Sequence, residues 1–203
     1  MAQLFLIAFL FSFLGSIPPG SINLSVIRLA LDNKYNAALR FAVAAALVEL
    51  PYAFVAVQFE GLLTTSPLIV EHFKLLAALV MIVLGVTNLS FSKTPSQRMQ
   101  KMRESGFRRG LLISILNPLA IPFWLGVTAY LNTQGWIQLT SINNIFVYIV
   151  GISFGTFVLL ALLAILSNKI GYFFKENIVV QILPGIIFIV LGAIALVRYL
   201  DLL

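Results

Sequence analysis

Glu49 is an acid in an unfavourable place. It lies within Ala44-Ala45-Ala46-Leu47-Val48-Glu49-Leu50-Pro51-Tyr52, midway along an apolar run. A carboxyl at bilayer depth costs about 2.5–3.5 kcal/mol on insertion scales, so it should face other protein or a wet cavity. There it has two chemical uses. It can take up and release a proton, or it can hold a cationic group of a bound solute. The alternative is structural, a carboxyl kept neutral or hydrogen-bonded to a neighbour such as Tyr52. Asp32, Glu60, Glu71, Glu104, Glu176 and Asp201 fall at the ends of apolar runs or between them, where solvation is expected. His72, beside Glu71, is the only histidine. A pH-sensing role is open to it, but an ordinary interfacial residue is the simpler expectation.

Two interruptions supply the other chemistry. Pro18-Pro19-Gly20 breaks the first apolar run, and Asn117-Pro118, with Pro122 four residues on, breaks the fourth. A proline removes a helix hydrogen bond and frees a carbonyl, and hydrocarbon offers that carbonyl no partner. Ser16, Ser21, Asn23 and Ser25 surround the first break, and Ser114 and Asn117 flank the second. Freed backbone and polar side chains can replace the hydration of a zwitterion, and a half-helix N-terminus can face a carboxylate. The substrate-binding candidates are therefore Pro18, Pro19, Gly20, Ser21, Asn23, Asn117 and Pro118, with Glu49 as the proton-coupling candidate. Simple kinking for packing, and hydrogen bonding between helices, are the competing explanations.

The rest of the composition narrows the class. Of 203 residues, 61% are hydrophobic and 10% charged, against about 25% charged in a soluble domain. Mean hydropathy is +1.04. Neither a water-soluble globule nor a disordered chain fits. No cysteine is present, which removes disulfides, thiolate metal sites and thiol redox chemistry. One histidine cannot build a multi-His metal cluster. No metal and no cofactor is expected. With no Ser-His-Asp set and no second buried carboxylate in view, an enzyme is not expected either. The net charge of +6 is assigned to the membrane and not to nucleic acid, because the basic residues sit beside apolar runs.

These residues need helices to position them. Apolar runs extend from Leu4 to about Leu31, Ala37 to Phe59, Pro67 to Phe91, Phe107 to Leu131, Asn144 to Leu166 and Ile178 to Leu200. Each can cross a hydrocarbon core of roughly 30 Å, and the alternation of barrel strands is missing. The first run has no basic stretch before it and no small-residue cleavage site, so it is expected to be a retained helix. Eleven of the thirteen basic residues fall in loops one, three and five: Arg28, Lys34, Arg40, Lys93, Arg98, Lys101, Arg103, Arg108, Arg109, Lys169 and Lys175. Lys74 and Arg198 fall on the other side. The positive-inside rule then puts the odd loops in the cytoplasm and both termini outside.

The expected fold is an all-α integral membrane protein of six transmembrane helices. Residues 1–91 form one three-helix repeat, 92–106 a cytoplasmic linker and 107–203 a second repeat. An odd number of spans per half inverts one half against the other, and the breaks fall in the first helix of each. That is the plan of inverted-repeat transporters, whose substrate site lies near the midplane where broken helices meet. Trp124, Tyr130 and Trp136 read as an interfacial aromatic belt. Gly85, Gly151, Gly155, Gly185 and Gly192 read as close-packing points, with Gly151 and Gly155 serving packing within the chain or a homodimer.

Pro19-Gly20-Ser21-Ile22-Asn23-Leu24, Glu49 in an Ala-rich second run, and Phe107-x-x-Gly110 leading into Asn117-Pro118 together resemble the LysE/RhtB amino-acid exporter family. The likeness in order and spacing covers essentially the whole chain. Ser21 stands where the family has a third proline, Glu49 where Asp is more usual, and Leu119 in place of a frequent Lys. The resemblance implies a secondary transporter in a bacterial inner membrane. It would export an amino acid or related small metabolite, driven by proton antiport with alternating access. Other readings are a cation or metal transporter, disfavoured by a single intramembrane carboxylate, and a membrane assembly subunit that moves nothing.

Overall fold

The computed structural model describes residues 1–18, 20–63, 75, 78–79, 81–83, 85–86, 89, 106–117, 120–176 and 178–200. All regular structure among them is helical. The elements are α1 (Ala2–Gly15), α2 (Ser21–Leu31), α3 (Tyr35–Leu63), α4 (Gly106–Ile115), α5 (Ala120–Thr133), α6 (Ile142–Glu176) and α7 (Ile178–Tyr199). Among the described residues, α3 and α6 are each long and apolar enough to cross a membrane, and α4 and α5, bent by 67° at their break, make a third crossing if taken as one span. α1 and α2 are shorter apolar helices. The third apolar run, His72, Lys74 and the stretch 92–105 lie largely or wholly outside the described residues; Gly106, expected as the end of the linker, already belongs to α4.

Local chemistry sets the helix ends. α2 stops in a left-handed residue, Asn33 at φ 59°, whose N–H bonds the Ala30 carbonyl while Lys34 N–H reaches back to Leu29. α5 stops in the same way at Gly135, φ 70°, with Gly135 N–H on Asn132 and Trp136 N–H on Leu131. Both are Schellman closures, in which the left-handed residue lets the chain turn back and satisfy the last carbonyls. Asn can take that conformation, and Gly does so without steric cost.

The broken helices lean on the long ones. α1 and α2 pack on α6, α4 and α5 pack on α3, and α3 packs on α6. Glycines set the closest approaches. A β-carbon at Gly110 of α4 would stand 2.7 Å from the Phe41 carbonyl oxygen of α3, and one at Gly155 of α6 would stand 2.5 Å from the Phe9 carbonyl oxygen of α1. Neither would fit, so these glycines let backbones touch. Gly151 meets α1 as well, and Gly85 packs against Gly185 and Ile189 of α7. The glycines thus serve contacts within the chain.

Alanines line much of the interior, and many large apolar residues face out. Ala38, Ala42, Ala45, Ala53 and Ala56 are buried, whereas Leu6, Leu10, Leu14, Phe154 and Ile165 are exposed. Water would penalise that outer surface and lipid would not, since lipid tails are as apolar as leucine. The buried residues form two clusters. One joins Leu4, Ala8, Ala53, Val57, Ala120, Trp124, Tyr148 and Ile152; the other joins Val26, Leu29, Ala38, Phe41, Ala45, Leu160 and Ala164. Each cluster occupies one end of the bundle. Six of the described basic residues, Arg28, Lys34, Arg40, Arg108, Arg109 and Lys169, gather at the end of the second cluster. There the Asn168 amide donates to the Tyr35 hydroxyl at 3.1 Å, tying α6 to the start of α3.

Candidate functional site

Both breaks fall where one cluster gives way to the other. α1 feeds the first cluster and α2 the second; α4 leans on the second through Ile113, and α5 feeds the first through Ala120 and Trp124. On α3, Glu49 lies between Ala45 of the second cluster and Ala53 of the first. The interruptions and the acid therefore share the middle of the bundle.

The first break is closed mainly by its own chain. Asn23, buried in the first turn of α2, donates its amide to the Ser16 carbonyl at 2.8 Å and to the Pro18 carbonyl at 3.1 Å. Two carbonyls of the break itself are thus satisfied by one side chain. Ser12 donates to the Ile152 carbonyl at 2.6 Å and lies 3.0 Å from the Thr156 hydroxyl, which also meets Ser16 at 3.5 Å. Gly20 is extended, φ −135°, and caps α2 with no side-chain bond. The first amides of α2 therefore carry no side-chain cap from Gly20. Ser21 is exposed and accepts through its carbonyl from the Ser25 hydroxyl at 2.6 Å. Pro18 is exposed too.

The second break is held from another helix. Tyr52 of α3 donates its hydroxyl to the Ile115 carbonyl at 2.5 Å, capping the last residue of α4. One turn earlier on α3, Glu49 accepts the Trp124 indole N–H of α5 at 2.6 Å. Adjacent turns of α3 therefore grip the two sides of the break. Asn117 N–H closes onto the Ser114 carbonyl at 3.0 Å. The Ser114 hydroxyl is 3% exposed and has no partner among the described residues. A buried hydroxyl without a bond forfeits about 1–3 kcal/mol.

The two breaks also approach each other. A β-carbon at Gly15, the last residue of α1, would overlap the Phe123 ring, and Phe123 precedes the tryptophan that holds Glu49. Phe123 and Trp124 meet edge to face, with ring centroids 5.0 Å apart. Of the residues named from sequence, Pro18, Gly20, Ser21 and Asn23 lie at the first break, Asn117 at the second and Glu49 against Trp124 beside it, while Pro19 and Pro118 lie outside the described residues.

Three expectations change. Trp124 is not part of an interfacial belt: it is 2% exposed and bonded to Glu49. Tyr52 does not hold Glu49 but the Ile115 carbonyl. Glu60 is not solvated. It is 8% exposed and accepts from the Asn132 amide at 3.0 Å, so a second buried carboxyl does exist. Its position near the end of a run concealed it. Its place eleven residues after Glu49, three helical turns along the same face, was the available signal. Among the described residues no three His, Cys, Asp or Glu side chains gather as a metal site would require.

A family model for the LysE type translocator matches residues 13–199. No curated protein and no solved structure matches the chain.

Proposed function

The chain belongs to the LysE type translocator family, so it is a membrane transporter of a small molecule, and we propose that it exports an amino acid or related metabolite by proton antiport with alternating access. The observation that carries the reading is the bond between Glu49 and Trp124 beside the second break, at the level where the first break also falls. Six crossings as two inverted repeats give a simple account of the packing. Exchanging first with fourth and second with fifth run maps the packing of α1 and α2 on α6 onto that of α4 and α5 on α3, and the α3–α6 pair onto itself.

In this reading the open N-terminus of α2 faces the solute carboxylate, and the backbone at Pro18–Ser21 and at Asn117–Pro118 supplies further polar contacts. The Ser114 hydroxyl adds a donor. Glu49 holds the proton or the solute's ammonium. The indole takes one carboxylate oxygen, and the proton or the ammonium binds at the other. Protonation then shifts inward against outward states only if the two bind the proton unequally. The basic end faces the cytoplasm by the positive-inside rule, with both termini on the far side of a bacterial inner membrane. A homodimer stays compatible with this arrangement.

The test is efflux of an amino-acid panel from proteoliposomes that contain this chain alone, with an imposed pH gradient. The expected result is gradient-driven flux of at least one amino acid in the wild type and its loss in Glu49→Gln. No flux of any solute would return the chain to the role of an assembly subunit. Flux that survives in Glu49→Gln would remove the coupling role.

A further inference from the structure

The mechanism above uses one buried acid, yet α3 carries two. Glu49 and Glu60 stand three turns apart on one face of α3, about 16 Å along its axis. The residues between them on that face, Ala53, Ala56 and Val57, are buried and apolar. Polar contacts along this face come from α5, at successive one-turn intervals. Trp124 bonds Glu49, Thr128 meets the Tyr148 hydroxyl of α6 at 3.0 Å, and Asn132 bonds Glu60. Thr128 and Tyr148 are both 0% exposed. Burying two hydroxyls inside an aliphatic cluster is unfavourable unless they bond each other, which they do.

We infer that Glu60, with Tyr148, is a second proton station, joined to Glu49 along α5 and open toward the end of the bundle where the chain begins. The inference rests on the reading of Glu49 as a proton carrier. A carboxyl can lose its proton to Tyr148 and be recharged from its own end. Either hydroxyl of the Thr128–Tyr148 pair can be the donor, so the pair passes a proton by accepting on one oxygen and releasing from the other. Successive pairs on α5 are separated by about 6 Å of helix rise, and the relay requires a bridging water in each gap. Groups facing Glu60 among the described residues are few. α6 brings the Tyr148 phenol, α5 brings uncharged Asn132 and Thr128, and α1 adds apolar Leu4 to the same cluster. No described cation bonds the acid, whose one described hydrogen-bond partner is the Asn132 amide.

The two tryptophans make a direct test, because Trp136 is half-exposed and Trp124 reports on Glu49. In a Trp136→Phe background, Trp124 fluorescence responds when Glu49 gains a proton, since its hydrogen-bond acceptor changes from carboxylate to acid. Proteoliposomes sorted to expose an N-terminal tag are given an external jump from alkaline to acid pH. The parent responds rapidly, and Glu60→Gln, which keeps an acceptor for Asn132, slows the response on the order of a hundredfold. Glu60→Asp restores it. Tyr148→Phe slows it as well, and serves if Glu60→Gln does not fold. An unchanged rate in Glu60→Gln or Tyr148→Phe, in a protein whose response still needs Glu49, overturns the second station and leaves the reading of Glu49 intact. A parent without a response, or a response that survives Glu49→Gln, overturns both.

Discussion

The two breaks solve one physical problem in opposite ways. A helix that stops inside the bundle leaves carbonyls without partners. At the first break the chain answers locally, because Asn23 folds back on the carbonyls of Ser16 and Pro18 and the neighbouring contacts are neutral hydroxyls. At the second break the answer comes from α3, through Tyr52 on Ile115 and Glu49 on Trp124. A cap within one segment moves with that segment. A cap supplied by a different helix is broken whenever the two helices shift. The first break is built as a fixed feature, and the second as one whose closure depends on the position of α3.

The sharpest way to break this contrast is Glu49→Gln. It should reduce pH-gradient-driven efflux of the best-exported solute of an amino-acid panel on the order of a hundredfold or more, with normal membrane insertion. Its counterpart at the first break, Thr156→Val, should leave the pH dependence unchanged. Coupling lost equally in both would end the distinction. Asn23→Leu comes next. Leaving two carbonyls unpaired should lower stability by about 2–4 kcal/mol, read as a fall in thermal midpoint in detergent. The pH dependence of any remaining flux should match the wild type.

Tyr52→Phe removes a single cap, so its cost should be about 1–3 kcal/mol. Unlike Asn23→Leu, it should speed hydrogen exchange at the Leu116 and Asn117 amides while those of Ile17 and Ser16 stay protected. Faster exchange at both breaks would mean that they open together. The smallest effect on stability belongs to Ser114→Ala. Its hydroxyl has no partner to lose among the described residues, so the midpoint should hold or rise slightly, while half-saturation for the exported solute should rise about tenfold. A destabilised protein with unchanged half-saturation would make Ser114 structural.

Much of this site was legible because lipid tolerates so little. Glu49 and the prolines declared themselves as misfits in apolar runs, and Glu49 bonds the Trp124 indole beside the second break. Glu60 and Trp124 were misread for the reverse reason. Each lies near the end of an apolar run, where an acid reads as solvated and an aromatic as interfacial. Both are buried because α5 and α6 continue past them, bringing Asn132, Thr128 and Tyr148. Position along a run measures depth only when the neighbouring helices end at the same height.

From sequence alone came the all-helical class, the two places where helices must stop, and the one acid that could not remain in lipid. Those follow from the period of a helix and from the cost of an unpaired polar group in hydrocarbon, which act on each segment separately. Tertiary structure alone decided the partners: indole for Glu49, a broken helix end for Tyr52, an amide for Glu60. Hydrogen bonds between residues 63 to 75 positions apart depend on how helices pack, and packing is set by which small residues let backbones meet.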